Sequence, residues 1–189
     1  MLGKTELTEE DWYYARVFLA AVRIDGSKFI LLLLFFTMMG YMKEFLTAML
    51  FFALVRSRMG GMHCRSYRSC LLFSFLIFFN SVVVLPALFA LSTVQGVVIL
   101  AICALMNIIL KPALNPTRPV PDKGRLMRGK CMVFLVICLL SVYAVLTGCG
   151  SCAMAALWVI VHQTALLSLA NIKAEKGGEH YVYFQHFSF

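Results

Sequence analysis

Residues 71–91 read LLFSFLIFFNSVVVLPALFAL, without one charged side chain. About 20 apolar residues in helical form span the ~30 Å hydrocarbon layer of a bilayer, and a run of this length marks a helix in lipid. Its polar interruptions are few, chiefly Asn80, and Pro86 lies near its end.

The same reading extends outward in both directions. Residues 94–110, 131–147 and 152–171 form three more apolar spans, the last holding His162 and Gln163. The joints Ser92–Thr93 and Gly148–Ser151 are short and uncharged. Residues 29–55 are apolar except for Lys43 and Glu44. That stretch is long for one straight span and short for two, so it reads as two short helices, roughly 29–42 and 45–55. The adjacent charges Lys43 and Glu44 mark the expected break, in a hairpin or re-entrant pair. Residues 5–25 read as an amphipathic surface helix, with Thr8 at the N-cap and acids in its first turn. Glu9, Arg16 and Arg23 share one face; Trp12, Phe18 and Leu19 lie roughly opposite. Such a helix lies along the membrane interface or packs on its own protein. The fold class is therefore all-α: a polytopic integral membrane helical bundle, with residues 1–189 as one membrane-embedded domain.

Composition agrees. Hydrophobic residues are 61% of the 189 and charged residues 14%. Soluble domains run nearer ~45–50% and ~25%, which excludes an ordinary cytosolic domain and a disordered chain. Lys plus Arg number 17 against 9 acids. Ten of those cations fall in two connections, residues 56–68 and 111–130, with Asp122 as the one acid between them. Charge in short loops between apolar runs speaks for membrane topology rather than nucleic-acid binding. The positive-inside rule places both loops in the cytoplasm and the uncharged joints outside. Seven Cys give no obvious disulfide framework; Cys70, Cys103, Cys131, Cys138 and Cys152 lie in or beside apolar runs, where Cys acts as a small hydrophobe.

The chemically richest stretch is Arg56-Ser-Arg-Met-Gly60-Gly61-Met-His63-Cys64-Arg-Ser-Tyr-Arg-Ser-Cys70, at the mouth of the first clear span. A Cys at a helix N-terminus sees the positive end of the dipole, and nearby guanidinium groups add to it. Both favour the nucleophilic thiolate. His63 is then the candidate general base and acid. On a continuous helix, His63 and Cys70 would share a face but stand ~10 Å apart along the axis, too far for proton transfer. Gly60 and Gly61 make an unbroken helix unfavourable, so a loop must curl back to bring imidazole to thiol. The bland reading is that both residues are incidental.

The pattern Arg56, Gly60, Gly61, His63, Cys70 resembles the signature of the accessory gene regulator B (AgrB) family, membrane cysteine endopeptidases of Gram-positive quorum sensing. Chain length, acid-poor spans and the proline-containing basic loop Asn115–Lys130 resemble that family too. The resemblance implies a small signal propeptide as substrate, with an amphipathic helix and an acidic tail. It implies Cys70 as nucleophile, His63 as acid and base, and a thioester acyl-enzyme that the peptide's own Cys or Ser resolves into a thiolactone or lactone. Arg56, Gly60, Gly61, Arg118, Arg125 and Arg128 are then supporting or substrate-binding residues, at an active site on the cytoplasmic side of the cell membrane. This chemistry needs no cofactor and no metal.

Other readings were weighed. Cys149-Gly-Ser-Cys152 has redox spacing but reads first as a turn. His63, Cys64 and Cys70 are three zinc-type ligands, in an Arg-rich setting that opposes a cation. His162 reads as a neutral His bonding across helices or at a homodimer contact, and Asn80 and Asn107 as interhelical glue. The aromatic tail 177–189 reads as an interfacial anchor. The competing function is a non-catalytic membrane protein, an exporter component or transporter that binds an anionic peptide. Few intramembrane charges and no inverted repeat oppose it.

Overall fold

The computed structural model describes residues 26–60, 63–64, 66–114, 122–176, 182–183 and 186–187, and of residues 63–64, 114, 182–183 and 186–187 only the course of the backbone. The expected surface helix 5–25, Gly61 and Arg118 lie outside the described residues. So do the side chains of the aromatic tail.

Among the described residues seven helices follow one another: α1, described over Gly26–Met38, α2 Met42–Met59, α3 Tyr67–Phe79, α4 Leu85–Leu88, α5 Thr93–Ile109, α6 Lys123–Leu146 and α7 Ser151–Lys176. A π-helical segment, Asn80–Val84, joins α3 to α4, so Tyr67–Leu88 runs as one 22-residue rod. Leu85 N–H reaches back five residues to the Asn80 carbonyl. Pro86 follows at once; it has no N–H to donate, and wider turns of this kind collect where the regular ladder is broken. Four two-residue strands pair in parallel: β1 His63–Cys64 with β4 His186–Phe187, and β2 Ala113–Leu114 with β3 Val182–Tyr183.

Tyr67–Leu88, α6 and α7 are each long and apolar enough to cross a membrane, and the protein is a membrane protein by that measure. All four expected apolar spans are helical. The stretch expected over 94–110 is α5, however, with 17 residues. It rises about 25 Å, short of a ~30 Å hydrocarbon layer. Side chains such as Leu72, Leu76, Ile102, Leu135 and Leu139 stand exposed on the outside of the bundle, as an apolar solvent allows.

The break in 29–55 is where the sequence reading needs correction. It falls at Met39–Tyr41, not at Lys43–Glu44: Gly40 takes φ 80°, a left-handed value that ends α1. Lys43 and Glu44 sit instead in the first turn of α2. Charged residues are compatible with a helix start, where Glu44 meets the positive dipole end, whereas the reversal needs the residue without a Cβ. Glu44 also accepts a 2.8 Å hydrogen bond from Ser151 Oγ at the start of α7. α2 runs on to Met59, beyond the expected end at 55. The two helices fold back on each other. Phe36 stacks on Phe45 at 4.8 Å near the turn, while Lys28 and Arg56 meet at the far end around one cavity. Phe45 and Phe52 both meet Phe78 edge-on, at 5.2 and 5.3 Å, which fastens the hairpin to α3.

α7 is the central helix. Ala153, Ala155, Ala156, Leu157, Val159 and Ile160 are all buried, which covers every face of two turns. A helix apolar all round belongs in a core, and small residues let neighbouring backbones approach. Its polar side chains reach outward. His162 meets Asn80 Nδ2 and Ser81 Oγ at 3.0 Å each, and Asn107 donates to Thr164 at 2.8 Å. The cross-helix reading of His162, Asn80 and Asn107 therefore holds, and both ring nitrogens are engaged within the chain.

At the uncharged end, α5 crosses close to the turn before α7. A methyl group at Gly96 would lie 3.0 Å from Cys149 Sγ and 3.2 Å from Leu157 Cδ1. Gly96→Ala is therefore expected to cost about 1–3 kcal/mol through overpacking. The check is the thermal unfolding midpoint in detergent. It should fall for Gly96→Ala and recover in part when Cys149→Ala is added.

Candidate active site

Cys70 lies at the end of the first turn of α3. Ser66 caps that helix in an extended conformation, its Oγ accepting from Ser69 N–H at 3.2 Å. Cys70 N–H donates to the Ser66 carbonyl at 3.0 Å. Ser and Thr side chains cap helix starts by satisfying an orphan N–H, so the short polar run before Cys70 decides where the helix begins and which way the thiol points.

The thiol is half-buried and opens on a cavity of about 320 Å³. Phe29, Leu32, Met49, Phe52 and Phe78 give its apolar wall; Lys28, Arg56, Ser57, Cys70 and Ser74 give its polar part. Lys28 Nζ donates to Cys70 Sγ at 3.3 Å. Only 9% of Lys28 is exposed, a level that a lysine reaches only when its charge is met by partners. The ammonium also lies 5.6 Å from the centre of the Tyr67 ring. Tyr67 in turn shares a 2.9 Å hydrogen bond with Ser27. Arg56 stacks over Phe52 at 5.3 Å. Two cations and one thiol thus converge where α1, α2 and α3 meet.

The loop between α2 and α3 is non-helical at its centre, as the two glycines lead one to expect. α2 stops at Met59, and Gly60 takes φ 70° and ψ −155°, a conformation open to glycine. The Gly60 carbonyl accepts a 2.7 Å hydrogen bond from Gln163 Nε2. Gln163 is fully buried, and its Oε1 has no partner among the described residues. Beyond Gly60, the backbone at His63 and Cys64 is extended and in register with residues 186–187. The imidazole of His63 lies outside the described side chains.

The second basic connection approaches the same end. A Cβ at Gly129 would stand 3.8 Å from the Arg58 carbonyl, so the start of α6 runs close along the end of α2. Arg125 and Arg128 are exposed on that part of α6, and Arg128 Nε donates to the Gly124 carbonyl at 3.3 Å. Asn171 clips the loop from the other side through Lys111 N and O, at 3.0 Å each. Cys149 is buried at the opposite end, where burial pushes its thiol pKa up. That setting gives a thiol held protonated, unlike the lowered pKa of a redox nucleophile. Among the described residues, no three His, Cys, Asp or Glu side chains gather as a metal site would need.

Lys28 and Gln163 were not picked out from the sequence as site residues. Lys28 is the one cation just ahead of the apolar stretch 29–55, which was the available signal. Gln163 was noted only as a polar residue inside a span.

The comparison with known families decides the relationship. A family model described as accessory gene regulator B matches residues 9–170. The chain belongs to that family. A putative AgrB-like protein of Clostridium beijerinckii is 30% identical over 121 residues, 64% of this chain, and the match covers 60% of that relative's length. No solved structure matches. The AgrB assignment agrees with the resemblance carried by Arg56, Gly60, Gly61, His63 and Cys70.

Gln163→Leu leaves the Gly60 carbonyl without its buried donor, a loss worth about 1–3 kcal/mol. Gly60→Ala forces a side chain into a glycine conformation. Both are expected to speed backbone amide exchange in the last turn of α2, read by mass spectrometry, with little change around Thr93–Ile109.

Proposed function

We propose that the protein is a membrane cysteine endopeptidase that cuts a small quorum-sensing propeptide and promotes its cyclisation. The observation that carries this reading is the Cys70 thiol: it stands at the capped start of a helix, opens on a cavity, and receives a hydrogen bond from a buried cation. Membership of the AgrB family supports it.

The reaction follows from the groups present. His63 takes the thiol proton, and Cys70 Sγ attacks the scissile carbonyl carbon. As the tetrahedral adduct collapses, the C–N bond breaks and the leaving amine receives the proton from His63. A thioester to Cys70 remains. A thiol or hydroxyl of the peptide gives its proton to His63 and attacks the thioester, the C–Sγ bond breaks, Cys70 leaves as a thiolate that regains a proton from His63, and the ring closes. Because a thioester keeps the acyl group activated, an intramolecular nucleophile competes with water. The phenylalanine-lined wall beside Cys70 assists by limiting water at the sulfur.

The test is direct. Cys70→Ala is expected to abolish both cleavage and the covalent adduct seen by mass spectrometry. His63→Ala should slow cleavage by roughly 10²–10⁴-fold. Cys64→Ser and Cys149→Ser should retain activity, and an inactive Cys64→Ser beside a working Cys70→Ser would reassign the nucleophile.

The substrate reading rests on charge. An acidic peptide tail meets the cationic end of the bundle, over a reach of about one Debye length, ~8–10 Å at physiological salt. An amphipathic helix on the peptide would hold it at the bilayer surface. Changing Arg118, Arg125 and Arg128 to Gln should raise apparent KM more than it lowers kcat. Added salt should weaken wild-type processing more than that of the neutralised variant; equal salt sensitivity would leave these cations a topological role alone.

A further inference from the structure

We propose that Lys28 is a third catalytic residue, whose ammonium carries the negative charge of Cys70 sulfur when the thioester forms and again when it is resolved. This rests on the reading of Cys70 as the nucleophile, but not on the identity of the substrate.

Three observations converge on it. Lys28 Nζ is 3.3 Å from Cys70 Sγ and oriented to donate. The side chain is almost wholly buried in a largely apolar cavity, where a charge-assisted hydrogen bond is stronger than in water. Its approach is fixed from both sides of the chain: Ser27 bonds to the Tyr67 hydroxyl, and the ammonium rests near the Tyr67 ring. Tyr67 is three residues before Cys70, in the same first turn of α3. α1 is thereby anchored so that its lysine meets the sulfur.

The chemistry gives the ammonium the same task twice. In acylation, the thiolate beside Lys28 attacks the carbonyl carbon, its electron pair becomes the C–Sγ bond, and the C–N bond breaks as His63 protonates the leaving amine. In cyclisation, the peptide nucleophile attacks, the C–Sγ bond breaks, and its electron pair returns to Cys70 as a thiolate next to the same ammonium. Lys28 gives up no proton in either step. A positive charge at the sulfur therefore makes Cys70 a better nucleophile in population and a better leaving group, as a thioester intermediate that must be released to a second thiol requires. His63 remains the group that moves protons.

The experiment uses the full-length protein in detergent micelles. The rate of Cys70 alkylation by iodoacetamide is read by mass spectrometry at one pH near neutrality. Lys28→Met should slow alkylation about tenfold to a hundredfold, the size of a lost charge-assisted hydrogen bond. Lys28→Arg should recover most of the rate, and Lys43→Met at the opposite end should leave it unchanged. Should Lys28→Met fail to fold, Lys28→Ala supplemented with ethylammonium gives the second reading: the small cation fits the vacated space and should restore the alkylation rate, while equal sodium chloride should not. Unchanged alkylation in folded Lys28→Met, or no recovery by either Lys28→Arg or ethylammonium, would overturn the role of Lys28. Loss of peptide cleavage in Cys70→Ala and His63→Ala is measured separately, so failure of the peptidase reading is distinguishable from failure of this one.

Discussion

Hydrogen bonds between elements set how this bundle is assembled, and among the described residues α7 makes most of them, some inside the bundle and some at its exposed ends. Ser151 holds the start of α2 through Glu44. His162 holds the π segment, Gln163 the end of α2, Thr164 the α5 residue Asn107, and Asn171 the loop at Lys111. Between them they reach both ends of α2, the π segment, α5 and the loop after it. Measured bonds of this type are worth about 0.6 kcal/mol on average and up to ~1.7 kcal/mol, so no single one holds the fold. Together they fix the height and rotation of the helices around a helix that has little freedom, since two of its turns are buried on every face. The apolar contacts bring the helices together; these polar ones decide their register.

The site inherits its position from that arrangement. Gln163 fixes where the loop toward α3 leaves α2, and the phenylalanine cluster fixes how the α1–α2 hairpin leans on α3. Cys70 then stands between three elements, none of which alone defines a pocket. Two cations line its cavity from separate parts of the chain, Lys28 from α1 and Arg56 from α2; Arg125 and Arg128 stand exposed on the start of α6, which runs close along the end of α2. The topology gathers at one end the cations that the sequence had scattered over a hundred residues.

What could be read beforehand follows from what a sequence encodes locally. Long apolar runs located the four helices to within a few residues, apart from the basic approach to α6 and the end of α7. Intramembrane polarity is rare enough that Asn80, Asn107 and His162 announced their cross-helix bonds. The adjacent charges Lys43 and Glu44 point to a hairpin break that the backbone does not make there. The backbone reversed at Gly40 instead, since a left-handed φ is a steric requirement and charge is not. Lys28 was overlooked for a different reason. It lies 42 residues from Cys70, and nothing in the local pattern of either residue encodes that meeting. His63 and Cys70 stand out in the sequence because they are seven residues apart; a partner supplied by another helix becomes visible only when the helices are packed.

The π segment between α3 and α4 is a phase shifter. In an unbroken α-helix each residue turns by 100°, so the faces above and below any point are locked in one rotational sequence. The i→i−5 bond of Leu85 to Asn80 breaks that lock. Below it, Cys70 faces the α1–α2 hairpin; at it, Asn80 and Ser81 face α7. One rod therefore addresses two neighbours lying in different directions. The loss of a single residue here would leave both helix halves intact as helices and every side chain chemically unchanged. It would nonetheless swing the Leu85–Leu88 end by about a quarter turn relative to Cys70 and the α7 contacts at Asn80 and Ser81, so that the angular offset is itself part of the inherited design of this rod.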